Sequence, residues 1–379
     1  MSAKSLSTWC RNELGELLGD LEMLVRHESP STGKALLDNT ADSIEAWLSE
    51  RLGPPAGWTR HAQAEHGDVL VATYPGTGKP VLLIGHYDTV WPAGTLAEWP
   101  FTVHDGAATG PGVYDMKAGL VTGVWALRAL RALNLPCPPV TFLFTGDEEL
   151  GSPKSRPYIE KTARDCAAAL VLEPGVGWDL KAERKGVGVF NLSTTGIEAH
   201  AGNDPEAGAS AVHALAEIVC RLVEAADPGA GTTINVGTIT GGTARNVIAG
   251  EASCLIDIRI SREDEARRID EVFAGLRATD PRVRVRLAGE WNRPPMRLTP
   301  ASKELFDQAD QVATELRAPL EPISVGGGSD ANFVAALGVP VLDGLGCSGA
   351  GAHARHEHVL VGDIPDRVAL VAGLLHRMA

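Results

Sequence analysis

No two of the chain's six cysteines stand as C-x-x-C; Cys10, Cys137, Cys166, Cys220, Cys254 and Cys347 are scattered over 379 residues. That spread argues against a structural zinc knot and fits reduced thiols better than a disulfide frame. Positive charge is also short, with 34 Lys and Arg against 48 Asp and Glu, a formal balance of −14. Such a field repels polyanions, so neither nucleic acid nor an anionic membrane surface is expected as a partner. The stretch from Met1 to Glu13 holds no apolar run long enough for a signal peptide or membrane span, and a cytoplasmic location is expected. The Gly-rich segment from Gly110 to Gly119 holds neither G-x-G-x-x-G nor G-x-x-x-x-G-K-[ST], which disfavours a phosphate loop there. The run from Gly344 to Gly351 misses the G-x-S-x-G elbow of a serine hydrolase, because Ala350 takes the last glycine's place. No internal repeat or low-complexity tract is present.

What is present is an ordinary globular composition, 44% hydrophobic and 22% charged, in a chain long enough for two or three domains of about 100 to 200 residues each. The most informative stretch runs from Val140 to Gly151, where an apolar run ends in Asp147, Glu148 and Glu149. An unalternating apolar run fits a parallel strand covered on both faces, and ligand crevices lie off the carboxyl ends of such strands. A solvated acidic loop is the plainer alternative for these acids taken alone. Upstream, helical spacing covers Ser7 to Arg26 and a second helix runs from Ser31 or Thr32 to Arg51. Strands follow at 69–74 and 80–84, the second leading into His86 and Asp88. These two share a side, since strand residues alternate, and the carboxylate can orient a metal-binding imidazole; a structural histidine is the alternative. Asp115 lies in a Gly-rich segment ahead of helical residues 120–133 and is either a helix cap or a ligand. Another apolar strand, 167–172, ends at Glu173. His86, Asp115, Glu149 and Glu173 together form a set of oxygen and imidazole donors of the kind that holds zinc, manganese or cobalt.

From about Lys185 to Arg293 the pattern reads strand, helix (205–226), strand, strand, helix, strand (283–287), the order of a ferredoxin-like sandwich inserted in the first domain. Helical spacing returns at 302–313 and from Ile364. Between them His353, His356 and His358 share one loop, and spacing does not choose among them.

These segments together resemble the co-catalytic zinc exopeptidases of the glutamate carboxypeptidase, aminoacylase and succinyl-diaminopimelate desuccinylase group, bacterial glutamate carboxypeptidases above all. The likeness rests on residues 85–90, 110–117, 145–151, 172–174, 199–202, 326–330 and the His353 loop. It implies an α/β, mixed-sheet catalytic domain of the phosphorylase/hydrolase-like type (1–186 and 294–379), with an α+β ferredoxin-like dimerisation and lid domain inserted at 187–293. It further implies two Zn2+, with Co2+ or Mn2+ possible. Asp115 would bridge them, His86 and Glu173 would hold one, and Glu149 and His353 the other. Glu148 is then the general base, Asp88 orients His86, and His200 stabilises the oxyanion of the partner's site in a homodimer. Asn246, Arg259 and Gly327 would contact a small-molecule or peptide substrate bearing a free carboxylate. For Arg259 a salt bridge to a neighbouring acid is the alternative, and for His200 an ordinary loop histidine. The Asp115-Met116 peptide would be cis. Glutamate rather than aspartate at 173 points to carboxypeptidases and N-acyl-amino-acid deacylases. A catalytically silent binding homologue is the remaining alternative.

Overall fold

The computed structural model describes residues 2–379, which fall into two compact units. The first contains the residues up to Glu183 together with Arg297–Val325 and Ser329–Ala379. Its central sheet runs in the order Gly57–His61, Gly67–Tyr74, Val140–Gly146, Val81–His86, Ala168–Val171, Val341–Leu342. The first two strands pair antiparallel and the other four run parallel, so the sheet is mixed. Every residue of Val81–His86 and Val140–Gly146 is buried, as the unbroken apolar runs require of strands covered on both faces. Helix Ala118–Ala132 is buried on almost every side, and so is Ile364–Arg377; helices apolar all round belong inside. Among the described residues no helix is long and apolar enough to cross a membrane.

The second unit is Arg184–Met296 with Gly326–Gly328. Its antiparallel sheet has the order Thr233–Gly241, Glu251–Ile260, Gly186–Thr195, Arg284–Arg293. Helices Ala211–Glu224 and Glu263–Ala274 complete the strand-helix-strand repeat. Leu215, Ile218 and Leu222 of the first helix and Ile269 and Phe273 of the second pack with Leu192, Ile256 and Ile258 in a core separate from that of the first unit. This is the ferredoxin-like α+β arrangement. The glycine run joins this unit because the buried Arg184 guanidinium donates to the carbonyls of Gly327 (3.0 Å) and Gly328 (3.3 Å).

Three local readings change. The first helical run is two helices, Ala3–Asn12 and Leu14–Arg26, parted at Glu13, where ψ is 7°; the break lets Leu6 and Cys10 as well as Leu17, Leu21 and Leu24 reach the core. Residues 205–226 are not one helix, because only the turn Pro205–Ala207 is helical before Ser210, whose hydroxyl accepts the His213 N–H and starts the helix at Ala211. The last strand runs on to Arg293.

Candidate metal centre

The parallel strands set His86 beside Thr145 and Ile84 beside Val171. His86, the acidic turn after Gly146, and Glu173 therefore leave the sheet along one edge. Asp115 arrives from a small antiparallel sheet of Thr102–His104, Ala107–Thr109, His358–Leu360 and Gly349–Ala350. That sheet is built from segments too short to announce themselves in sequence, and it brings the His353 loop beside the Asp115 segment. Asp115 is not a helix cap: the helix starts at Ala118, and the Asp115 backbone is extended (φ −114°, ψ 92°). The Asp115-Met116 peptide is cis. At Gly119 a Cβ would stand 1.9 Å from the Leu172 carbonyl oxygen, so only glycine lets the first turn of the helix approach the strand end that carries Glu173. His353 has φ 62°, in the left-handed region that side chains other than glycine enter at a cost.

The Asp115 carboxylate stands between two imidazoles, with Oδ1 3.2 Å from His86 Nε2 and Oδ2 3.4 Å from His353 Nε2. Glu173 Oε1 lies 3.6 Å from His86 Nε2, and Glu149 Oε2 lies 3.0 Å from His353 Nε2. Two triads result, His86/Asp115/Glu173 and Asp115/Glu149/His353; within each, the donor atoms lie within 4.8 Å of one another, and Asp115 belongs to both. With oxygen and imidazole donors and no thiolate, each triad fits a divalent transition cation. His356 and His358 enter neither.

Electrostatics agree with the chemistry of the donors. Burial opposes a charge on His86, but Asp115, Asp88 and Glu173 outweigh it and hold its pKa well above the ordinary 6.5. His353 is pushed up to about 10 by hydrogen bonds to Asp115 and Glu149. Burial also works against the Asp115 charge, yet the two imidazoles keep its carboxyl below the usual carboxylate range. Glu149 is raised, burial prevailing over its bond to His353. Three carboxylates in this space need positive charge, and protonated imidazoles supply it where cations do not.

Asp88 is fully buried and does two things. Its carbonyl oxygen (3.0 Å) and Oδ1 (3.4 Å) face His86 Nδ1, turning Nε2 toward Asp115. Its carboxylate also accepts the backbone N–H groups of Glu148 and Glu149, each at 3.2 Å, fixing the acidic turn. Glu148 is half-buried in that turn and its side chain joins neither triad. Three further carboxylates around the site have roles that the sequence did not assign. Asp147 accepts the N–H groups of Lys154 and Ser155, Asp330 accepts the hydroxyls of Thr145 and Ser152, and Glu357 holds the Asp115 loop. Asp147 and Asp330 stand inside segments that carry the resemblance, and Glu357 stands in the His353 loop, but nothing local tells their bonding partners.

The remaining predicted residues lie in the second unit. His200 is exposed, and its Nδ1 accepts the N–H groups of Gly202 (3.1 Å) and Asn203 (3.0 Å), so the neutral ring carries its proton on Nε2. Asn246 adjoins it, its carbonyl accepting the Ala201 N–H at 2.9 Å. Arg259 spends its Nε and Nη2 fork on Asp257, both bonds 2.7 Å, as in the salt-bridge alternative. Gly327 offers its carbonyl to Arg184.

Comparison with known proteins now defines the class. Residues 82–377 match the model of peptidase family M20/M25/M40. Carboxypeptidase G2 of Pseudomonas sp. (strain RS-16) is 30% identical over 373 residues, covering 96% of this chain and 89% of that protein. A succinyl-diaminopimelate desuccinylase of Xanthomonas oryzae pv. oryzae (strain PXO99A) is 30% identical over 362 residues, covering 88% of this chain and 93% of that protein. The chain belongs to peptidase family M20/M25/M40 and is a hydrolase of peptide or amide bonds. In fold it matches the M20 family metallo-carboxypeptidase Sso-CP2 from Sulfolobus solfataricus, with a TM-score of 0.77 at 18% identity and coverage of 96% of this chain and 100% of that one.

Proposed function

We propose that the protein is a two-cation carboxypeptidase that cleaves the amide bond next to a free carboxylate and releases the terminal amino acid. The observation that carries this reading is the Asp115 carboxylate, one oxygen toward His86 and the other toward His353. His86 and Glu173 would hold one ion, Glu149 and His353 the other, and Asp115 both; zinc suits the donors, with cobalt or manganese as alternatives. When bound, such ions polarise the scissile carbonyl and acidify the attacking water. Glu148 takes the proton of that water as its oxygen bonds to the carbonyl carbon, then delivers it to the amine as the C–N bond breaks. Asp88 keeps His86 and the Glu148 turn in place while this happens.

The substrate assignment draws on the likeness to carboxypeptidase G2 and on glutamate at position 173. The desuccinylase relative supports a second reading, an N-acyl-amino-acid deacylase using the same residues. His200, with its proton on Nε2, is suited to donate to the oxyanion. Asn246, Gly327 and the Nη1 edge of Arg259 are assigned to the substrate's polar groups. A homodimer is proposed from the strand Thr233–Gly241, which lies at a sheet edge with no charged residue or proline to blunt it and with Ile239 exposed. Two such edges can pair about a two-fold axis.

The test is hydrolysis of a panel of N-acyl amino acids, folate-like glutamates and dipeptides, with their methyl esters, by protein stripped with a chelator and reloaded with zinc or cobalt. Free acids should be cleaved only by reloaded protein. A chain that takes up no divalent cation, or cleaves acids and esters equally, overturns the reading.

A further inference from the structure

The loop carrying His353 ends at Glu357, a carboxylate with no exposure to solvent. Its Oε1 accepts the backbone N–H of Tyr114 (2.9 Å) and of Asp115 (3.0 Å); its Oε2 accepts the indole N–H of Trp91 (2.9 Å) and the N–H of Gly112 (3.2 Å). Four donors on one side chain is close to the full acceptor capacity of a carboxylate. Three come from the segment that delivers Asp115, and the fourth from the loop after His86 and Asp88. Glu357 also immediately precedes strand His358–Leu360, whose partner Ala107–Thr109 leads into the Gly110–Asp115 segment, with His358 opposite Thr109. The carboxylate thus fastens the end of one strand's loop to the start of the other's. His353 and Asp115, four and zero residues from the fastened points, are the two residues whose separation this sets. Three of the four bonded N–H groups are backbone groups of a buried segment, which would otherwise lack acceptors.

We infer that Glu357 is a positioning residue of the metal centre, distinct from Asp88: it holds the bridging carboxylate of Asp115 and the imidazole of His353 at the spacing that a second cation requires. The inference rests on the two-cation reading above. Glu357 belongs to neither triad. Its effect runs through the N–H of Asp115, and it should therefore act first on the triad Asp115/Glu149/His353, whose histidine is half-exposed and held in a left-handed backbone conformation.

The experiment measures Zn2+ and Co2+ binding to the stripped full-length protein by calorimetry, and the visible spectrum of the Co2+ form. Glu357→Gln keeps the size of the side chain but turns one acceptor into a donor facing two N–H groups. Removal of a partner that orients metal ligands commonly lowers affinity about 10 to 100-fold, and that loss is expected for the weaker of two sites, with an altered Co2+ spectrum. Asp20→Asn is the control, since Asp20 is a buried carboxylate bonded to Arg51 and Trp125 rather than to the site. It should lower the melting temperature and leave cation affinity and spectrum unchanged. Should Glu357→Gln fail to fold, Trp91→Phe removes a single bond to Glu357, and a fall of a few-fold in the weaker affinity is then expected. Two sites of unchanged affinity and spectrum in the folded variant overturn the inference, as does a loss of affinity that Asp20→Asn reproduces. Failure of the two-cation reading looks different, because the wild-type protein would then bind fewer than two cations.

Discussion

The residues assigned to the site live under different conditions in the two units. In the first unit the groups around the site are mostly buried and multiply bonded, His353 being half-exposed: Asp88 meets His86 and two backbone N–H groups, and Glu357 meets four donors. In the second unit the predicted residues sit at the surface, His200 exposed and Arg259 paired with Asp257 two residues away on the same part-exposed strand. Buried charge is tolerated only where partners are arranged for it, so the first group carries evidence of its role in its own geometry. An exposed group gains a role only when something else arrives, whether substrate or a second copy of the chain.

The largest effect that would sharpen this contrast comes from the acidic turn. Glu148→Gln should lose about 10² to 10⁴-fold in kcat while retaining its cations, since proton transfer contributes that much. Glu149→Gln should lose cation binding itself. If metal analysis finds the reverse, the two roles are exchanged.

For the exposed group, His200→Ala should cost about 10² to 10³-fold, the usual worth of one oxyanion donor. Its test of sharing between subunits is complementation. Mixed and refolded with Glu148→Ala at equal amounts, His200→Ala should recover about a quarter of wild-type activity, because half the dimers are mixed and each has one whole site. Mixed dimers with no more activity than either variant alone would confine His200 to its own chain.

Arg259→Ala should be milder, roughly 10-fold in kcat/KM on free acids and less on methyl esters, because Asp257 already occupies its fork. Equal losses on acids and esters would mark the arginine as structural.

The smallest effects are on stability and pH. Burial disfavours a charge on Asp68, but hydrogen bonds from Lys34, the Gln63 backbone and Arg60 prevail and hold its carboxyl below the ordinary 3.8. A group lowered in the folded state stabilises above its unfolded pKa, and that contribution is lost as pH falls through the folded value. Asp68→Asn should therefore cost about 1 to 3 kcal/mol at pH 7 and lose less stability than wild type on acidification below about pH 4. Asp280→Asn, which breaks an exposed pair with Arg282 in the second unit, should leave the melting curve almost unmoved at either pH. Thermal melts at pH 3 and pH 7 decide both.

How far the sequence could be read follows the same division. Val81–His86, Val140–Gly146 and Ala168–Val171 were legible because a strand buried on both faces must be apolar throughout, and the ends of such strands announce any acid or histidine placed there. The order strand, helix, strand, strand, helix, strand in the second unit was legible from the same periodicities. Strands of two or three residues such as Gly349–Ala350 have no period to detect, so the small sheet that carries His353 to Asp115 left no trace. Local spacing did not choose among the three histidines, and His353 was singled out only through the resemblance; that Asp88 grips two backbone N–H groups and that Glu357 clasps the Asp115 loop were decided only by the folded chain. Composition and local pattern determine which segments must be buried and what they end in. Hydrogen bonds between residues more than two hundred positions apart, such as Glu357 to Asp115, depend on where the tertiary structure brings those ends, and no local rule encodes that.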